Sequence, residues 1–138
     1  MARTISPRAP VYGQLVTIRK KITYAIENTV IDLGRVPAYA SLIAGGVHVL
    51  TAFDDTGTDT LDVGFRDGSA TDDPDGYATL LTISAVGYIV FDELAATTNI
   101  ISTKPAILTC TYNGQNDNAA AGVAYVTALF SVGPTDGA

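Results

Sequence analysis

Tryptophan is absent from the 138 residues, and cysteine and histidine occur once each, as Cys110 and His48. One cysteine cannot close an intramolecular disulfide. One cysteine with one histidine falls short of the ligands that a structural zinc site needs. The lack of a disulfide framework fits assembly in a reducing cytoplasm. Long hydrophobic runs are missing as well. The longest, Leu42 to Leu50, is about half a membrane span and contains Gly45, Gly46 and His48, so no transmembrane helix and no membrane partner are expected. No apolar core of a signal peptide occurs in the first 25 residues. Helix-period segments long enough to connect parallel strands are absent too, and Glu93 to Asn99 is the one stretch with the character of a helical turn.

Charge is unevenly spread. The net charge of −6 combines a basic start with an acidic remainder. Residues 1–35 carry Arg3, Arg8, Arg19, Lys20, Lys21 and Arg35 against Glu27 and Asp32, whereas residues 36–138 carry only Arg66 and Lys104 against twelve acids. An acidic body repels nucleic acid, so no nucleic-acid partner is expected. A basic arm seeks an acidic protein surface.

Apolar residues make up 47% of the chain, enough to exclude a disordered body, and the length suits one domain. Pro7, Pro10 and Gly13 keep the first residues out of a helix, and we expect an extended basic arm over residues 1–21 before a β-sandwich domain over 22–138. Alternating, β-branched runs recur at Leu15 to Tyr24, Thr29 to Leu33, Ser41 to Phe53, Thr60 to Arg66, Tyr77 to Ile83, Gly87 to Phe91, Pro105 to Tyr112 and Gly122 to Val132. Gly45-Gly46 suggests a bulge or bend inside the third run. Asp54 to Asp59 reads as a turn, and Asp67 to Gly76 as a long acidic loop. About eight strands without crossover helices predict an all-β antiparallel sandwich or jelly roll.

Chemistry-bearing constellations are scarce. His48 lies in an apolar strand run with no nucleophile elbow in the chain, which points to a structural histidine on a sheet face or at an interface. Cys110, between Thr109 and Thr111 in a strand, reads as a small buried hydrophobe, because a reactive thiol needs an electropositive setting. Asp73, Asp75, Asp54 and Asp59 are weak calcium candidates, since calcium takes six to eight oxygens, but the spacing of a calcium-binding helix–loop–helix is not met. Solvated turns are the simpler reading. Paired carboxylates for glycoside hydrolysis would come with aromatic sugar platforms, and the seven tyrosines are scattered. No catalytic residue, resident metal or cofactor is expected, and no enzyme.

At residues 24–64 the chain carries a specific pattern. The run Thr29-Val30-Ile31-Asp32-Leu33-Gly34-Arg35-Val36-Pro37 is followed by Val47 to Phe53 and then by Asp54-Asp55-Thr56-Gly57-Thr58-Asp59-Thr60-Leu61-Asp62-Val63-Gly64. This form, φ-x-φ-x-T-A-F-[DN]-x-x-G-T-x-T-L-x-V-G, resembles a group of small tailed-bacteriophage virion proteins. Asp75-Gly76-Tyr77-Ala78 and the hairpin from Ala106 to Gly114 extend the resemblance over residues 22–132. It implies a β-sandwich or jelly-roll subunit on a phage particle, with capsid decoration as the leading role: a cement protein on the lattice of the major capsid protein, itself forming a homo-oligomer such as a trimer. A tail, neck or fibre-base subunit is the alternative within that resemblance, and a lectin-like module binding sugar or calcium is the alternative outside it. The arm departs from the pattern. Its residues Arg3, Arg8, Val11, Tyr12, Arg19, Lys20 and Lys21 are the candidate partner contacts.

Overall fold

The structure, a computed structural model, describes residues 14–68, 72–94 and 104–132. The first alternating run forms β1 (Gln14–Thr23), which ends in a single 3₁₀ turn at Tyr24–Ile26. Seven further strands follow: β2 (Val30–Val36), β3 (Ala40–Thr51), β4 (Asp59–Arg66), β5 (Asp73–Thr82), β6 (Gly87–Val90), β7 (Ala106–Gly114) and β8 (Val123–Val132). They build two four-stranded sheets, in the order β1-β8-β3-β6 (sheet A) and β2-β7-β4-β5 (sheet B). Every ladder between these strands is antiparallel. The first strand pairs with the last, the second with the seventh, the third with the sixth and the fourth with the fifth. That is a long hairpin wound into two sheets, the jelly roll, so the expected fold class holds.

Period-two patterning explains why the sheets face one another. In β8, Ala124, Val126, Ala128 and Phe130 are buried while the residues between them are partly exposed. Across the interior, β7 contributes Ala106, Leu108, Cys110 and Tyr112. Strands with one buried face and one outward face need this alternation, since a one-residue slip would expose the whole apolar set.

Several expectations change. Residues 14–21, read as part of an arm, pair along their whole length with β8, because Val16, Ile18 and Ile22 alternate inward like any sandwich strand. Paired structure therefore begins at Gln14, before the boundary placed at residue 22; residues 1–13 lie outside the described residues. The acidic loop is shorter than expected: Asp73-Pro74-Asp75-Gly76 already belongs to β5. An edge strand tolerates Pro74, whose missing N–H breaks no inner ladder. Gly45-Gly46 is no bulge. The register shifts in β3 flank it, between Leu42 and Ala44 and between Val49 and Thr51. The two glycines leave room for rings instead: a Cβ on Gly45 would lie 2.3 Å from the Phe91 ring, and one on Gly46 would lie 2.4 Å from the Tyr88 hydroxyl. Most of the stretch read as a helical turn, residues 95–99, lies outside the described residues.

Candidate functional site

The two acid-rich segments sit at opposite ends of β4, so Asp54 and Asp59 cannot join Asp73 and Asp75 around one ion. At the first end the carboxylates accept backbone hydrogen bonds. The N–H groups of Ala120 and Ala121 donate to Asp54 Oδ1 at 2.7 and 2.9 Å. Asp55 is buried and receives the N–H groups of Gly57 at 2.7 Å, Asn116 at 3.0 Å and Asn118 at 3.2 Å. Asp59, also buried, accepts the Asp55 N–H at 3.0 Å and the Tyr112 hydroxyl. Ala119 N–H donates to Glu27 Oε1 at 3.1 Å. These carboxylates, three aspartates and Glu27, thus clasp the β3–β4 loop, the β7–β8 loop and the turn after β1.

This clasp sets two proton affinities apart. Burial raises the Glu27 carboxyl and the Asp55 charge adds to that, outweighing the Ala119 N–H. Burial would raise Asp55 too, but the N–H groups of Gly57, Asn118 and Asn116 and the Glu27 carboxyl hold it down at about 2. At the other end, Asp73 is raised by burial first, then by its neighbour Asp75, with the charge of Glu93 contributing. No group of three or more metal-ligating side chains forms among the described residues.

Neither potential nucleophile centre is organised for catalysis. Cys110 is fully buried, and that burial pushes its thiol up to about 12, far from a thiolate. His48 lies exposed on sheet A, edge-on to Tyr88 with ring centroids 6.4 Å apart, and the four strands of that sheet contain no Asp or Glu to orient it. An open groove of about 300 Å³ lies at the far end of sheet B between Arg35, Arg66, Pro105 and Ile107; none of its lining residues is a cysteine, histidine or serine. Arg66 is already paired there, with both guanidinium nitrogens on Asp32 at 2.7 and 2.8 Å.

The candidate partner residues divide. Arg3, Arg8, Val11 and Tyr12 lie outside the described residues. Arg19 and Lys21 point outward from β1, and Arg19 places its guanidinium carbon 3.9 Å from the centroid of the Tyr125 ring. Lys20 alternates to the other side and spans the sandwich edge, its ammonium donating to the Asp32 carbonyl at 2.9 Å. The register then joins Lys21 and His48 to Tyr125 and Tyr88, two residues that no sequence reading named. Lys21 faces Tyr125, Tyr125 faces His48, and His48 faces Tyr88, one lateral row across all four strands of sheet A. Only strand pairing could reveal it, because its members are spread from residue 21 to residue 125.

No protein-family model and no curated protein matches the chain. Solved structures do. The chain is similar to a chain of the capsid asymmetric unit of cyanophage Pam1, with a TM-score of 0.61 and 16% identity, over 95% of this chain and 94% of that one. It is similar to a chain in the acidic stable capsid structure of Helicobacter pylori bacteriophage KHP30, at 0.59 and 17%, over 88% and 94%. It is similar to a chain in the capsid of Ralstonia phage GP4, at 0.65 and 19%, over 96% and 92%. Coverage this high in both directions makes each matched chain about as long as this one. The fold implied by the resemblance to phage virion proteins is therefore the fold of whole chains in three phage capsid structures.

Proposed function

We propose that the protein is a non-enzymatic subunit of a bacteriophage virion that decorates the capsid, binding the outer surface of the major capsid protein lattice and stabilising it. The observation that carries this reading is the likeness, over nearly the whole length, to similarly short chains in phage capsid structures. A subunit of this kind acts by binding energy alone. It adds stability to the assembled shell in proportion to occupancy, because it binds the assembled state and not its parts. Many weak contacts on a repeating lattice sum by avidity.

On this reading the protein resides on the capsid surface after assembly in the bacterial cytoplasm. It acts as a homo-oligomer, with a trimer at a local threefold as the working arrangement. Residues 1–13, with Arg3, Arg8, Val11 and Tyr12, supply further contacts to the shell on this reading. Calcium at Asp54, Asp59, Asp73 or Asp75 has no part in this role.

Co-sedimentation of the purified protein with undecorated capsids of the cognate phage tests the proposal. Saturable binding at a ratio set by the lattice is the expected result, weakened when residues 1–13 are deleted. Deletion should stop at Gly13, since removing Gln14 onward would strip β1 from β8. No binding to capsids, with binding to tail or neck complexes instead, would move the protein elsewhere on the particle.

A further inference from the structure

The two outward faces of the sandwich differ in kind. On sheet B, Arg66 pairs with Asp32, and Asp62 accepts the Asn113 amide at 3.0 Å. Sheet A has no carboxylate in any of its four strands, and its outward cations are Arg19 and Lys21. Exposed large apolar side chains follow the same division. Leu15, Ile43, Leu50, Tyr88 and Val90 lie in the strands of sheet A, with Leu15 66%, Tyr88 61% and Val90 61% exposed, whereas the strands of sheet B expose only Val30 and Leu80.

Register shows that this is a continuous surface. The row Lys21, Tyr125, His48, Tyr88 lies beside the row Arg19, Thr127, Gly46, Val90, followed by Thr17, Leu129, Ala44 and then Leu15, Ser131, Ser41. Four strands at about 4.8 Å spacing and seven residues at about 3.4 Å rise give a face of roughly 450 Å². The absence of a side chain at Gly46 leaves room for the Tyr88 ring to reach over β3. Fixed tyrosines and arginines amid small residues are the composition of interface anchors.

The chemistry selects the occupant. A sugar is disfavoured, since the His48 and Tyr88 rings stand at 82° to each other and Arg19 already covers Tyr125, leaving no coplanar platform. A second copy packed face to face would offer no carboxylate to Arg19 or Lys21. It would also bury only about half of the roughly 800 Å² per partner that a stable two-body complex needs. A homo-oligomer seated on a repeating partner removes that second shortfall, because its linked copies of the face bind with avidity. We infer that the outward face of sheet A is the seat of the protein on the capsid shell, docking against an apolar patch rimmed by carboxylates. This rests on the decoration reading.

The test compares variants of full-length protein on cognate capsids, after circular dichroism and thermal melts show each to be folded. The docking-face variants are Arg19→Glu with Lys21→Glu, and Tyr88→Ser with Val90→Ser. The control is Val30→Ser with Arg35→Glu on sheet B. Apparent affinity is expected to fall on the order of tenfold or more in both docking-face variants and to hold in the control; in the wild type it should weaken as salt rises. Capsid binding by the wild type that both docking-face variants retain would overturn the docking face and leave decoration standing. Absence of wild-type binding would overturn both. Sedimentation velocity without capsids separates the last case: if the docking-face variants lose wild-type self-association, the face belongs to a second copy and the inference fails.

Discussion

The Arg19 guanidinium carbon lies over the Tyr125 ring, 3.9 Å from its centroid, joining the edge strand β1 to its neighbour β8 on the outside of the sandwich. A partly exposed cation–π contact is worth about 0.5–1 kcal/mol. Arg19→Ala is therefore expected to lower unfolding stability by no more than about 1 kcal/mol, measured by urea denaturation. A much larger loss would mean that the arginine holds the edge strand in place and cannot serve as a clean probe of binding.

Tyr112 is fully buried, packs edge-on against Phe53 with centroids 4.8 Å apart, and donates its hydroxyl to Asp59. Tyr112→Phe keeps the packing and removes one of the donors on a buried carboxylate. The expected cost is about 1–3 kcal/mol. A neutral result in chemical denaturation would show that Asp59 finds another donor.

Stability should depend on pH in both directions. Asp55 is held at about 2, below its ordinary 3.8, so its contribution is present above about 3.8 and is lost as pH falls through 2. Glu27 and Asp73 are raised above 4.5 and 3.8, so theirs is present below those values and is lost as pH rises through the folded values. The melting temperature is expected to peak near about pH 4 and decline on both sides. Glu27→Gln keeps a donor toward Asp55 without a titrating proton, and should flatten the decline above pH 4.5. An unchanged profile in that variant would remove Glu27 from the account.

Leu80 sits at a register shift of β5 with a φ of 53°, in the left-handed region that leucine avoids. Its N–H is held by Asp62 Oδ1 at 2.7 Å, and the neighbouring Thr79 N–H by Asp92 Oδ1 at 2.9 Å. The leucine side chain is 58% exposed and adds little packing. Leu80→Asn is expected to stabilise by about 0.5–1 kcal/mol, since asparagine tolerates that conformation. Asp62→Ala should destabilise by about 1 kcal/mol. A destabilised Leu80→Asn would indicate that the side chain packs on something outside the monomer.

Alternation and turn residues made the strands legible. All eight expected runs overlap observed strands, because a half-buried strand must alternate whatever its neighbours are. Strand order was not legible, since nothing in Gln14 to Thr23 announces that its partner is Val123 to Val132. The same gap hid the row from Lys21 to Tyr88: each member looks ordinary in its own strand. The aspartates were visible as clusters, but composition cannot distinguish carboxylates gathered for an ion from carboxylates that cap backbone N–H groups, which is what Asp54, Asp55 and Asp59 do. Cys110 was readable, for a lone cysteine between threonines in a strand has little choice but the core.

The most direct test of the central claim is a single-particle reconstruction of cognate capsids saturated with the protein. Added density is expected on the outer surface, one jelly roll at each equivalent lattice position, with sheet A toward the shell and sheet B toward solvent. Shells that gain no density after saturation would contradict it.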